Sequence, residues 1–162
     1  MRRRRFIAAL AALIAAAAVQ GTARAQEPEA VDEPPPPPVS LMLSVTSTPV
    51  PRGEAVEFLL VLRNEAETPR TLTFTSSQRF DLAVMDGAGA VLWQWSAGRS
   101  FAQVRETLRL APGEARTYTA TWEPPTGAVQ PGAYVAVAVL AAVEAPVAAP
   151  ASFTLGRTPD AG

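Results

Sequence analysis

Residues 80–101 read "FDLAVMDGAGAVLWQWSAGRSF" and decide the fold. Phe80, Leu82 and Val84 alternate with Asp81, Ala83 and Met85, the period-two pattern of a half-buried strand. Asp86-Gly87 opens a turn, and Gly89 can supply a positive φ. The chain returns through Ala90–Ser96 with Val91, Trp93 and Trp95 expected on one face. Residues 80–96 therefore predict a β-hairpin. Its two tryptophans raise a choice between core packing, one exposed ring, and a flat aromatic platform for sugars.

Outward from this hairpin the same period recurs. "LMLSVTS" (41–47) is a candidate first strand, and "AVEFLLVLRN" (55–64) sets Val56, Phe58, Leu60 and Leu62 on one face. "RTLTFT" (70–75), "ETLRL" (106–110) and "ARTYTATW" (115–122) follow the same logic, the last with Tyr118, Ala120 and Trp122 opposite three threonines. In "AYVAVAVLAAV" (133–143) the alanines could support a helix, but the alternating valines argue for a strand. "ASFTL" (151–155) closes the series. Eight or nine short strands separated by turn signals predict an all-β fold, an antiparallel immunoglobulin-like β-sandwich, over residues 40–156. A barrel is the alternative. Tyr134, entering a strand just after Pro131-Gly132, resembles the corner tyrosine of such sandwiches.

The N-terminal region has a different character. Arg2–Arg5 precede a 14-residue apolar run, Phe6–Val19, and Ala23-Arg24-Ala25 then offers a small-x-small cleavage pattern. Residues 1–25 read as a secretory signal peptide cut before Gln26. The run is short of the roughly 20 apolar residues that span a bilayer, so no membrane span is expected after cleavage. "QEPEAVDEPPPPPV" (26–39) reads as an acidic, proline-rich linker, stiff and extended. Residues 157–162 read as a polar tail.

Composition narrows the function. Cleavage would remove five of 14 arginines and none of 15 acidic residues, leaving a net charge of −6. The sequence has no Lys, His or Cys. Nucleic-acid binding is disfavoured, because it relies on releasing counterions from basic contacts. Triads built on His or Cys cannot form, and zinc sites lose their usual ligands. No Gly-x-Ser-x-Gly elbow and no phosphate-cradling glycine loop ending in Lys occur. Asp81 and Asp86 sit five apart, which pleating places on opposite faces; Asp86 is read as a turn residue. The chain is expected to act by contact, without catalysis and without a cofactor.

One ordered set of residues is more specific than any of these patterns. Arg63-Asn64 ends a strand, and Leu72-x-Phe74 and Ser77-Gln78-Arg79-Phe80-Asp81 follow. Asp86, Gly89 and Val91 come next, then Trp93-Gln94-Trp95-Ser96 and Phe101-Ala102-Gln103. This run, with "LAPGEARTYTATW" and "QPGAYVAVAVL" downstream, resembles the BsuPI family, the intracellular proteinase inhibitor domain, over about residues 41–143. Phe80 stands where a tyrosine is commoner in the family, and Ala102 where a threonine is. The name-giving member is cytoplasmic, whereas this chain carries an export signal. The resemblance implies an antiparallel β-sandwich and a subtilisin-type serine proteinase as partner.

Recognition in a sandwich belongs to its loops. Ser77, Gln78 and Arg79 in one loop, and Trp95, Arg99 and Phe101 in another, are the candidate partner-binding residues. An arginine at 79 or 99 would suit a trypsin-like pocket, and Phe101 a subtilisin-like one. The ordinary alternative is that both arginines are solvated loop charges. The other functional class is a non-inhibitory binding module of the cell envelope. In an exporting host, mass spectrometry of the mature product is expected to give Gln26 as the first residue, and an intact Met1 terminus would refute the signal-peptide reading.

Overall fold

The computed structural model describes residues 39–125, 127–144 and 146–156. The signal peptide, the linker apart from Val39, and the polar tail lie outside the described residues. Nine strands form in order: β1 (Val39–Val45), β2 (Val56–Asn64), β3 (Arg70–Phe74), β4 (Phe80–Met85), β5 (Val91–Gln94), β6 (Glu106–Leu110), β7 (Ala115–Trp122), β8 (Gly132–Leu140) and β9 (Ala151–Leu155). No helix occurs among the described residues, and so none that could cross a membrane.

Every ladder between the strands is antiparallel. β1-β2-β7 form one sheet and β5-β4-β8-β9 another, while β3 and β6 pair separately. Alternation aims the apolar set of β2 inward, whereas β4 is buried on both faces rather than half-buried as its alternation predicts, because Asp81, Ala83 and Met85 are covered as well. Phe58, Leu60, Leu62 and Trp122 of the first sheet share one core with Leu82, Val84, Tyr134 and Phe153 of the second. Leu72, Phe74 and Leu110 carry the β3–β6 ribbon into that core. The chain is an all-β sandwich of antiparallel sheets. The first strand begins at Val39 rather than Leu41, because Val39 and Leu41 are both buried opposite Asn64 and Leu62.

The alanines of β8 have a packing purpose. Ala136 and Ala138 lie opposite Val84 and Leu82 on the inner face, where they are fully buried. Their small volume leaves room for the rings of Phe58, Trp93, Trp122, Tyr134 and Phe153, which touch in a chain of centroid separations of 5.8–6.5 Å. Losing one such ring from a core costs about 3–5 kcal/mol, more than any single hydrogen bond contributes. Tertiary packing on both flanks thus overrides the helical leaning of alanine. The Tyr134 hydroxyl donates to the Gln130 carbonyl at 2.5 Å, closing the corner before β8.

Asn64 is the one fully buried polar residue among the described residues, at 0% exposure, and it ties β2 to the β6–β7 turn. Its amide nitrogen lies 3.0 Å from the Thr68 carbonyl, 3.1 Å from that of Leu110 and 3.0 Å from that of Ala111. Its side-chain oxygen accepts from the Ala66 amide, and its backbone pairs with Gly113 and Glu114. No buried side-chain polar atom among the described residues lacks a partner. Truncation to Asn64→Ala would strand buried carbonyls and is expected to lower stability by about 2 kcal/mol in urea titrations. Asn64→Asp should lower it further, since a carboxylate would face three carbonyl oxygens; a wild-type midpoint for either variant would refute this role.

Candidate functional site

The hairpin turn is built by Asp86. Its carboxylate accepts from the amides of Ala88 at 2.9 Å and Ala90 at 2.8 Å, and Gly89 takes φ = 84°. This confirms Asp86 as a turn residue. The return strand departs from simple alternation. Met85 pairs with Val91 but Val84 pairs with Trp93, so Leu92 is an extra, bulged residue. The bulge shifts Val91 to the opposite face from the tryptophans and leaves it exposed. The expectation of Val91, Trp93 and Trp95 on one face therefore fails at Val91, because a single inserted residue inverts a period of two.

Trp93 and Trp95, by contrast, land against the core. Trp93 stacks between Phe58 and Trp122, with centroids 6.2 and 6.3 Å away. Trp95 lies 4.3 Å from Phe80 and 5.8 Å from Phe101, and the Arg99 guanidinium sits 4.5 Å over it. Both rings are half-buried and covered by neighbours. They pack against the core, as the core-packing alternative expects.

The same bulge builds a polar network on the outer side of β4. Asp81 is buried, at 7% exposure, and no ion pair involves it among the described residues. Hydrogen bonds to its carboxylate come instead from the Leu82 amide (2.9 Å), Gln94 Nε2 (2.6 Å), the Ser96 amide (3.2 Å) and Ser96 Oγ (2.8 Å). Four donors replace the water that burial removes. Their effect is to clamp the strand end just before the loop at 97–100. In sequence Asp81 stands in the run that carries the family resemblance and as half of a carboxylate pair; the signal for its structural role is its position across the hairpin from Ser96. Asp81→Asn turns one acceptor oxygen into a donor facing donors. The substitution is expected to cost about 1–3 kcal/mol and to speed amide exchange at Ser96; unchanged exchange there would remove the clamp from the account.

The structure brings the two candidate loops together. The Ser77 amide donates to the Ala102 carbonyl at 2.9 Å, and the Ala102 amide donates to Ser77 Oγ at 3.0 Å. Gln78 turns back on its own loop, donating from Nε2 to the Phe80 carbonyl at 3.0 Å. Arg79 is committed: it ion-pairs with Glu106, and its guanidinium lies 4.5 Å from the centre of the Phe74 ring. Arg99 is exposed but folded back, donating from Nε to the Trp95 carbonyl at 2.9 Å. Gly98, with φ = 76°, allows the tight turn beneath it. Phe101 is half-buried on Trp95. Tyr118 packs behind Phe80, and burial pushes its phenol above the ordinary range, against the opposing pull of Arg79 and Arg116. A raised phenol stays neutral below its ordinary value, so any stability tied to it is lost only as pH rises through the raised value. A shallow cleft elsewhere, beside Arg52, Pro124, Gln130 and Leu155, holds only about 30 Å³, against roughly 300–1,000 Å³ for an ordinary ligand pocket.

Comparison with known proteins bears on the family. A search of curated proteins gave no match. Among solved structures, the fold is similar to part of the Pseudomonas fluorescens alkylpurine DNA glycosylase AlkC, at 18% identity over 73% of this chain and 30% of that one, with a TM-score of 0.44. It is also similar to the sporulation control protein Spo0M from Bacillus subtilis, at 12% identity over 75% of this chain and 50% of that one, with a TM-score of 0.46. A CARDB domain from Pyrococcus furiosus matches at 17% identity over 74% of this chain and 95% of that one, with a TM-score of 0.38. This chain thus spans half or less of the first two, and none of the three likenesses carries a functional argument. The model of the intracellular proteinase inhibitor family, BsuPI, matches residues 43–145, a stretch that includes the hairpin, the Asp81 network and both paired loops, and the chain belongs to that family.

Proposed function

We propose that this protein is an exported serine proteinase inhibitor that acts by noncovalent contact. Membership of an inhibitor family supports the class of function. The observation that carries the reading of the site is the pairing of Ser77 with Ala102, which holds two loops as one surface. An inhibitor must present a rigid segment that binds a proteinase cleft well, so that little conformational entropy is lost on docking. The loop pair has that character: Asp81 clamps one end, and Arg79 with Glu106 holds the other. The partner is a subtilisin-like serine proteinase outside the cytoplasm, since the chain reads as exported. No catalytic group, cofactor or nucleic acid enters this mechanism.

A second reading is supported by residues 26–39. An acidic, proline-rich spacer next to a β-sandwich domain suits a tethered binding module of the cell envelope, one without inhibitory action. One titration separates the two. The exported protein, added to subtilisin, is expected to abolish activity at a one-to-one ratio and to stay intact. Rapid cleavage within residues 97–103 with no loss of activity would rule out inhibition and leave the binding module.

A further inference from the structure

The geometry points to Phe101–Arg105 as the segment that enters the proteinase cleft, with Val104 as its primary apolar contact. This inference rests on the inhibitor reading and goes beyond it, because neither the loop arginines nor Phe101 is then the main specificity residue. Three observations converge on the segment.

The first is its backbone. Residues 101–105 have no regular secondary structure. Among the described residues, no backbone–backbone hydrogen bond outside the strands involves Gln103, Val104 or Arg105. Their amides and carbonyls are therefore available to an incoming strand, and main-chain pairing of this kind gives affinity in extended-peptide recognition. The turn at 97–100 lacks this property. The Ala97 amide donates to Gln94 and the Arg99 amide to Ser96, so that stretch is curled on itself.

The second is anchorage at both ends. On the N-terminal side, Ala102 is pinned by two bonds to Ser77, and Phe101 leans on Trp95. On the C-terminal side, Glu106 begins β6 opposite Phe74 and ion-pairs with Arg79. Three residues between two fixed points have few conformations to lose, which lowers the entropic cost of docking.

The third is side-chain chemistry. The large apolar side chains of the two loops, Trp95 and Phe101, are half-buried against each other. Val104 is 44% exposed, a large apolar side chain held out to solvent on this segment. An apolar group presented on an available backbone fits a proteinase whose primary pocket is apolar. Arg79 and Arg99 fit poorly, since the first is paired with Glu106 and the second is bonded to the Trp95 carbonyl.

The test compares the exported wild-type protein with Val104→Asp and Arg99→Ala in subtilisin inhibition. Amide exchange is measured with and without the proteinase. A charge in an apolar pocket is expected to weaken inhibition by Val104→Asp by about 100-fold or more, with Arg99→Ala staying within about threefold of wild type. Residue 104 is exposed, so thermal unfolding of Val104→Asp should match wild type. Slowed exchange on complex formation should centre on residues 103–105, a readout that does not depend on any variant. Unchanged inhibition by Val104→Asp, or protection confined to residues 77–79 and 97–100, would overturn the assignment and leave the inhibitor reading standing. A wild-type protein that inhibits trypsin-like but not subtilisin-like enzymes would overturn it as well. No inhibition of any serine proteinase would remove both this assignment and the inhibitor reading.

Discussion

One extra residue in one strand governs much of this molecule. If β4 and β5 were paired without interruption from Met85 and Val91, Trp93 would fall opposite Ala83, on the outer face. The bulge at Leu92 places it opposite Val84 instead. Two heavy rings then turn into the sandwich, where Trp93 bridges Phe58 and Trp122 and Trp95 backs Phe80. An enclosed aromatic ring buries about 150–250 Å², and both tryptophans lie half-buried against the core. The inward alanines of β8 complete the fit by leaving space for these rings.

The outer face gains from the same displacement. With the tryptophans inside, Gln94 and Ser96 turn out over Asp81 and supply its hydrogen bonds. A carboxylate that is desolvated without a countercharge needs several donors, and here they come from the strand that the bulge re-registered. Strand register and loop placement are therefore coupled. The residues that satisfy Asp81 stand at the base of the 97–100 turn, and the following residues run to the Ser77–Ala102 pairing. Asn64 acts similarly at the far end of β2, where one amide organises two turns. Both polar residues hold loops in place, while apolar burial supplies the bulk of the stabilisation.

The family match and the surface chemistry meet at this loop pair. Recognition between proteins runs across exposed backbone and side chains, which both loops present. The loops here are held by hydrogen bonds, an ion pair and ring contacts, rather than by disulfides, which the sequence cannot form. That type of rigidity suits contact with a proteinase, whose cleft selects for segments already in the bound shape.

Strand identity was legible along most of the sequence, because period-two burial leaves a direct mark on residue order: Phe58, Leu60 and Leu62 are inward, as the alternation of 55–64 predicts. So was the Asp86 turn, whose chemistry is local. The absence of histidine and cysteine likewise narrows the chemistry from the sequence alone. Local pattern could not reveal the bulge, since an inserted residue leaves composition and spacing unchanged and is recognisable only against the partner strand. It could not reveal the burial of Asp81, which depends on Gln94 and Ser96 arriving from across the hairpin. Nor could it separate the curled arginine turn from the open backbone beside Val104, because that difference lies in which amides find partners in three dimensions. Residue order determined which stretches become strands; the pairing register, which only the folded chain possesses, decided which side chains reach the core and which stay at the surface.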